Sequence, residues 1–294
     1  MRLRLVLLLA IMLTYALCYA AIKAGLTFAP PLGFAALRSF IAGIVLLGVV
    51  LVRRERIIPA RREWRAILLL GFFATTLTFG AMFLSPGRTG AGIASVLGNM
   101  QALITLVLAA IFLGEAVTRG KMITLGLGLL GVTLIAYPAL TAGDAYGISG
   151  AVLALGASVA AASANVLGKW VRMGHNVLAV TGWQLLLGSI PLFALSAVLE
   201  RDVTIQWTPT FIGLLLFLAL AGTAFAIAAW YWLLQNEGVS RLSLYFFLVP
   251  VMGVGIALLL GESLSLLEIG GVALIVASVG AVYPSHSDQR VPAL

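Results

Sequence analysis

Apolar residues in this chain come in long runs, broken at intervals by charges, prolines and glycines. A bilayer crossing needs about 20 mostly apolar residues. Breaking the chain at its polar punctuation gives ten runs of that order, at 4–24, 32–52, 66–86, 92–113, 122–139, 147–168, 177–199, 210–234, 241–260 and 267–284. No run alternates with period two, so a transmembrane β-barrel is not expected. The pattern predicts an all-α integral membrane protein with ten transmembrane helices.

Two of the breaks resemble each other. FLGEAVTRGKM, residues 112–122, and LLGESLSLLEI, residues 259–269, both place Gly-Glu after an apolar run and lead into another. Glu115 and Glu262 are 147 positions apart in a chain of 294. At an offset of 146 or 147, Lys23 falls opposite Lys169, Arg38 opposite Gln184, and Pro138 opposite Pro284. In order along the chain, these matches indicate a duplication. Five helices per copy is an odd number, so tandem copies enter the membrane in opposite directions. The expected domains are a first five-helix repeat over 1–146, a second over 147–284, and a short cytoplasmic tail, 285–294. Inverted repeats let each half adopt either of two tilts, with a binding site near the midplane where they meet.

Composition agrees. The chain is 62% hydrophobic and 10% charged, with mean hydropathy +1.13, whereas a soluble domain carries about 25% charged residues. The net charge of +8 would suggest nucleic acid in a soluble protein. Here it reads as topology. With the N-terminus inside, Arg2, Arg4, Arg53, Arg54, Arg56, Arg61, Arg62, Arg65, Arg119, Lys121, Lys169, Arg172, Arg241 and Arg290 are cytoplasmic, 14 of 18 basic residues. Only Lys23, Arg38, Arg88 and Arg201 fall outside. Cationic segments resist translocation, so both termini are expected in the cytoplasm of a multi-pass protein of a bacterial inner membrane, and no nucleic-acid partner is expected. The two Gly-Glu joints then lie on opposite sides, which accounts for Arg119 and Lys121 after the first and none after the second. One cysteine, Cys18, and two distant histidines, His175 and His286, offer no disulfide framework and no metal site, and no cofactor is expected. Arg2 and Arg4 before an apolar run resemble the start of a signal peptide. Bulky Leu17 before Cys18 argues against a lipoprotein, and the counterpart segment in the second half argues that the first is kept.

The segments LGEAVTRGKMITLGLGLLGVTLI and LGESLSLLEIGGVALIVASVGAV resemble the paired signatures of the drug/metabolite transporter superfamily, EamA type. ALRSF resembles that family's second-helix arginine motif, Lys23 the lysine closing its first helix, and LVPVMGVGIALLLGE its proline-containing ninth helix. The fourth helix departs, with Leu103 where the proline would be. The resemblance implies ten helices in two inverted five-helix repeats with substrate between the bundles, and points to the branch that exports aromatic and other amino acids. It leaves open whether the fifth and tenth helices meet a second protomer, so the protein is expected as a monomer or homodimer.

Candidate substrate contacts are polar or aromatic residues inside the runs: Tyr15, Tyr19, Arg38, Thr75, Thr78, Phe79, Asn99, Gln101, Trp183, Gln184, Trp230, Tyr245 and Phe246. Intramembrane amides need partners and so face protein or a wet cavity, with helix-to-helix bonding as the rival reading. Arg38 lies inside its span, where it either holds the repeats together or attracts an anionic group. Lys23 and Lys169, at span ends, are expected to snorkel. Glu115 and Glu262 are read as helix caps. None of the ten acidic residues falls mid-span, which suggests a facilitator or weakly coupled exporter, because a proton pump buries a carboxylate there. Trp64, Trp170 and Trp207 suit membrane interfaces. Ala16, Ala20 and Ala24, like Ala154, Ser158 and Ala162, share one helix face and are expected to form the seam between repeats. Gly126, Gly128 and Gly131 are expected to let the fifth helix pack closely.

The expected function is export of small metabolites, amino acids foremost, with membrane lipid as the surrounding partner. The alternatives are a proton-coupled transporter of other amphipathic metabolites or drugs, a non-transporting structural protein, and a channel. A membrane-embedded enzyme would need clustered His, Asp or Glu at depth, which the sequence lacks, so no enzymatic activity is expected.

Overall fold

The computed structural model describes residues 2–85, 91–141, 148–171, 177–259 and 265–282. Among them all regular structure is helical: α1 (Arg2–Gly25), α2 (Pro31–Val52), α3 (Trp64–Leu84), α4 (Ala91–Leu113), α5 (Arg119–Thr141), α6 (Ile148–Trp170), α7 (Val177–Leu199), α8 (Pro209–Asn236), α9 (Val239–Ile256) and α10 (Leu266–Val282). Among the described residues nine helices are long and apolar enough to cross a membrane. The apolar part of α10, Leu266–Gly280, is shorter and at 1.5 Å per residue spans about 22 Å of a core of about 30 Å. Glu262, Arg88, Arg172, His175, Pro284, His286 and Arg290 lie outside the described residues.

Two helix N-termini are capped by glutamates from elsewhere in the chain, one at each end of the bundle. Gly114, at φ 66°, ends α4 in the left-handed conformation glycine tolerates and turns Glu115 toward α9. The Glu115 carboxylate accepts from Val239 N at 2.7 Å, Ser240 N at 3.0 Å and the Ser240 hydroxyl. It thus satisfies N–H groups that the first turn of α9 leaves unpaired. The Gly-Glu joint is therefore a C-terminal stop followed by a cap, and the helix it caps is not its own. Beside it, Lys169 Nζ donates to Gln235 O and Glu237 O at the end of α8, where a cation suits the helix dipole. Glu237 pairs with Arg4 at 2.7 Å and approaches Arg241 at 3.9 Å. At the opposite end, Glu200 accepts from Leu32 N at 2.8 Å and Gly33 N at 3.0 Å at the start of α2.

Packing is reciprocal. α1 lies on α8 and α9, as α6 lies on α3 and α4; α2 meets α8, as α7 meets α3. α2 and α7 cross in direct contact, where a Cβ on Gly43 would fall 2.9 Å from Gly182 O. α5 and α10 approach as closely: a Cβ on Gly131 would lie 2.7 Å from Gly271 O, and one on Gly271 2.6 Å from Gly131 O. Gly128 packs under Phe247, whereas a Cβ on Gly126 meets nothing within 4 Å. Two helices carry a π-helical stretch in their middles, Gly71–Leu77 in α3 and Leu220–Phe225 in α8. In each, a threonine hydroxyl lies against the carbonyl five residues back: Thr223 donates to Leu218 O at 2.7 Å, and Thr76 stands 3.4 Å from Gly71 O while its shorter bond goes to Gly188 O of α7 at 2.8 Å. The two threonines, like the two carbonyls five residues back, sit 147 positions apart.

The small-residue seam holds for only one helix. Ala154, Ser158 and Ala162 are buried, with Ser158 Oγ donating to Leu97 O at 2.7 Å and Gly98 O at 2.9 Å of α4. On α1 Ala16 is buried but Ala20 and Ala24 are exposed. They continue the exposed stripe of Val6, Leu9, Leu13 and Leu17. The core forms two clusters. One gathers Leu8, Ile11 and Met12 with Ile67, Leu233 and Val239. The other gathers Cys18, Ile22, Phe34, Phe83 and Phe211 at the opposite end.

Candidate functional site

Three buried residues of α8 receive polar side chains from three other helices. Thr223, in the π-helical stretch, and the adjacent Trp230 and Tyr231, seven and eight residues on, are all buried, so about 12 Å of this helix is turned to protein on more than one side. Arg38 reaches Thr223 from α2, Asn165 reaches Trp230 from α6, and Gln184 reaches Tyr231 from α7.

Arg38 is 2% exposed. Its Nε donates to Thr223 Oγ1 at 2.9 Å and its Nη2 to Gly222 O at 3.4 Å. Gly222 lacks a Cβ where the Cys18 thiol and the guanidinium converge. The guanidinium carbon stands 4.5 Å from the Phe79 ring centroid and 5.5 Å from that of Phe83, within range for cation–π attraction. Among the described residues no carboxylate pairs with Arg38, and its Nη1 has no protein partner. A buried charge without a counter-ion is costly.

The two amides repeat the theme. Trp230 Nε1 donates to Asn165 Oδ1 at 2.9 Å, and because indole only donates, Asn165 Nδ2 is the end left over, buried and unpartnered. Gln184 Oε1 accepts from the Tyr231 hydroxyl at 3.4 Å, leaving Gln184 Nε2 equally without a partner. Among the described residues three buried nitrogens are thus spare: one of the guanidinium and two of amides. An aromatic wall stands beside them. Tyr15 stacks on Phe246 at 5.9 Å and 17°, and Phe246 meets Trp230 at 4.7 Å. Tyr15 lies within electrostatic range of Arg38 and Tyr231. Taken together, these groups suit a small solute with an anionic end and an apolar or aromatic body.

The structure thus gathers Tyr15, Arg38, Phe79, Gln184, Trp230 and Phe246. Tyr245, buried, precedes Phe246 in the 3₁₀ turn of α9. Tyr19, one turn beyond Tyr15, is 59% exposed. Thr75 is fully buried with a spare hydroxyl in the α3 π-stretch. Thr78 is spent on its own helix, donating to Phe73 O at 2.7 Å. Asn99 and Gln101 are half-buried on α4, just past the carbonyls that Ser158 holds. Trp183 stands apart. Its Nε1 donates to Ile57 O at 2.8 Å in the α2–α3 loop and its ring meets Trp64 edge-on at 5.2 Å. It anchors the bundle's end, because adjacent residues on a helix point about 100° apart and Gln184 holds the inward position. Sequence reasoning missed Asn165 and Thr223. Asn165 was findable as an amide inside an apolar run, and Thr223 as the counterpart of Thr76 at the repeat offset.

Comparison with known proteins supplies the frame. The profile of the EamA-like transporter family matches the chain twice, over residues 2–137 and 148–283. An uncharacterized transporter of Archaeoglobus fulgidus is 30% identical over 90% of this chain and 93% of its own length. A probable amino-acid metabolite efflux pump of Salmonella typhimurium is also 30% identical, over 92% of this chain and 91% of its own. A solved crystal structure superposes with TM-score 0.82 over 95% of both chains at 16% identity, a likeness of fold.

Proposed function

Since the chain belongs to the EamA-like transporter family, we propose that it is a secondary transporter exporting small carboxylate-bearing metabolites, neutral and aromatic amino acids foremost. The observation that carries this reading is Arg38, a buried guanidinium whose protein partners are a hydroxyl, a carbonyl and two rings, and whose Nη1 is spare. A substrate carboxylate supplies the missing counter-charge, and the spare amides of Asn165 and Gln184 add neutral donors. Tyr15, Phe246 and Trp230 receive the apolar side chain. The relative named as an amino-acid metabolite efflux pump supports the same substrate class.

Transport proceeds by alternating access between two inverted halves, residues 1–146 and 147–284, with 285–294 as a tail. The reciprocal helix contacts and the two threonine-bearing π-stretches at an offset of 147 support that symmetry. The halves exchange tilts around the site, which lies near the midplane. Both termini face the cytoplasm of a bacterial inner membrane, following the basic residues. Arg4–Glu237 and the Glu115 cap then close the cytoplasmic side in this conformation.

The test is counterflow in proteoliposomes with a labelled amino acid, set against the same compound as its carboxamide. Saturable flux of the acid and little of the amide is the expected result. No saturable flux of any amino acid overturns the substrate class.

A further inference from the structure

The α2–α3 loop is more basic and more costly in backbone than a turn requires. Residues 53–65 hold six arginines and two glutamates, a net charge of +4 over 13 residues. Arg53, Arg54, Arg56, Arg61 and Arg65 are exposed. Of the carboxylates, Glu55 lies 4.0 Å from Arg53, and Glu63 is turned back onto Ala60 N at 2.7 Å.

The backbone explains how the arginines are displayed. α2 ends in a paired motif, with Glu55 N bonding Val50 O at 3.1 Å and Arg54 N bonding Leu51 O at 3.0 Å. That motif puts Arg54 at the position where glycine is favoured, and its φ is 55°. A side chain there costs about 1 kcal/mol or more, so the chain keeps an arginine against its local backbone preference.

The surroundings fix the height of these charges. Leu51 and Val52, immediately before Arg53, are 63% and 84% exposed at the end of a helix long and apolar enough to cross a membrane, so the arginines begin where that apolar span stops. Ile58 projects between the arginines, 72% exposed, while Pro59 beneath it is buried. Trp64 and Trp183, residues that favour the headgroup level, grip the loop through Ile57 O. A shallow concavity of about 790 Å³ opens along residues 55–60 and Glu63.

Guanidinium groups at headgroup height, with an isoleucine among them, fit a surface that is anionic outside and apolar beneath. We propose that the α2–α3 loop is a docking surface for anionic phospholipid headgroups, with Arg53, Arg54 and Arg56 on the phosphates and Ile58 in the acyl boundary. Arginine suits this task because its fork binds phosphate oxygens in pairs. The bond from Trp183 carries the loop's position to α7, which crosses α2 at the Gly43–Gly182 contact. Lipid binding at the loop therefore stabilises the α2–α7 pair. The proposal is independent of what the central site carries.

The experiment uses the full chain, delipidated in detergent and titrated with phosphatidylglycerol or phosphatidylcholine while thermal unfolding is followed. Phosphatidylglycerol should raise the unfolding temperature and phosphatidylcholine should not. In the triple variant Arg53→Gln, Arg54→Gly, Arg56→Gln, the phosphatidylglycerol needed for half-maximal protection should rise by about tenfold or more. Arg61, Arg62 and Arg65 remain to hold topology, and Arg54→Gly relieves the backbone. Should the triple variant not fold, wild-type protection by phosphatidylglycerol should still vanish at high ionic strength. Equal protection of variant and wild type, or protection that survives salt, overturns the proposal. Inorganic phosphate protecting as well as the lipid overturns it in favour of a soluble phosphate ligand.

Discussion

The Trp230 indole donates to Asn165 Oδ1 at 2.9 Å, and that one bond decides which end of the Asn165 amide is left without a partner. The residue is an orienting acceptor for α8 and, through Nδ2, a spare donor. Replacing it by aspartate keeps the acceptor for Trp230 and turns the donor into a negative charge. Asn165→Asp should retain its fold by size-exclusion profile and lose about tenfold or more in counterflow of a carboxylate substrate, the scale of one lost charged hydrogen bond. Counterflow at the wild-type rate would remove Asn165 from the site.

Arg38 separates charge from geometry. Arg38→Lys keeps the cation but puts all its N–H groups on one nitrogen, so it lacks the planar fork that spans Thr223 and Gly222 and aims a separate nitrogen inward. Flux should collapse in Arg38→Lys and in Arg38→Gln alike. Phe79→Leu, which removes the ring 4.5 Å from the guanidinium, should lower thermal stability by about 0.5–2 kcal/mol. Normal transport by Arg38→Gln would show that the guanidinium serves only to join α2 to α8.

Glu115 reads as a cap, and the coupling alternative makes a different prediction. Glu115→Ala should destabilise the protein by about 1–2 kcal/mol, the range for a lost N-terminal cap. Glu115→Gln should cost less, since its amide oxygen still accepts from Val239 or Ser240. In neither should the dependence of flux on an imposed pH gradient change. A lost gradient response in Glu115→Gln, with unfolding temperature intact, would make Glu115 a proton carrier.

The α5–α10 contact permits a paired comparison along one helix. Gly131→Ala places a Cβ 2.7 Å from the Gly271 carbonyl and should destabilise by about 1–3 kcal/mol. Gly126→Ala, with open space around it, should be neutral or stabilise by about 0.5–1 kcal/mol. Equal unfolding temperatures for the two would contradict the close approach.

The helices were legible because a bilayer imposes length and apolarity on every crossing, and composition registers both. The role of Gly-Glu was half legible. Glycine as a stop and glutamate as a cap follow from local chemistry, but α9 as the capped helix depends on a contact 124 residues away. Residue spacing gave the α1 stripe of Ala16, Ala20 and Ala24 as one face without saying whether that face meets protein or lipid. In a membrane both environments are apolar, so hydrophobicity does not separate them. Trp183 and Gln184 were read together as neighbours in sequence, yet neighbours on a helix diverge, and only one turned inward. Asn165 sits among alanines and serines that look like packing material, which hid an amide that deserved the same reading as Asn99.

The π-stretches in α3 and α8 change how these helices present themselves with depth. Each extra residue wound into a turn advances the azimuth of everything beyond it. The upper and lower segments of one rod therefore offer different sides to the same neighbour. A substitution scan down either helix should show tolerance recurring every third or fourth position, then slipping out of step at residues 71–77 or 220–225. The two slips fall one in each half, at threonines 147 positions apart.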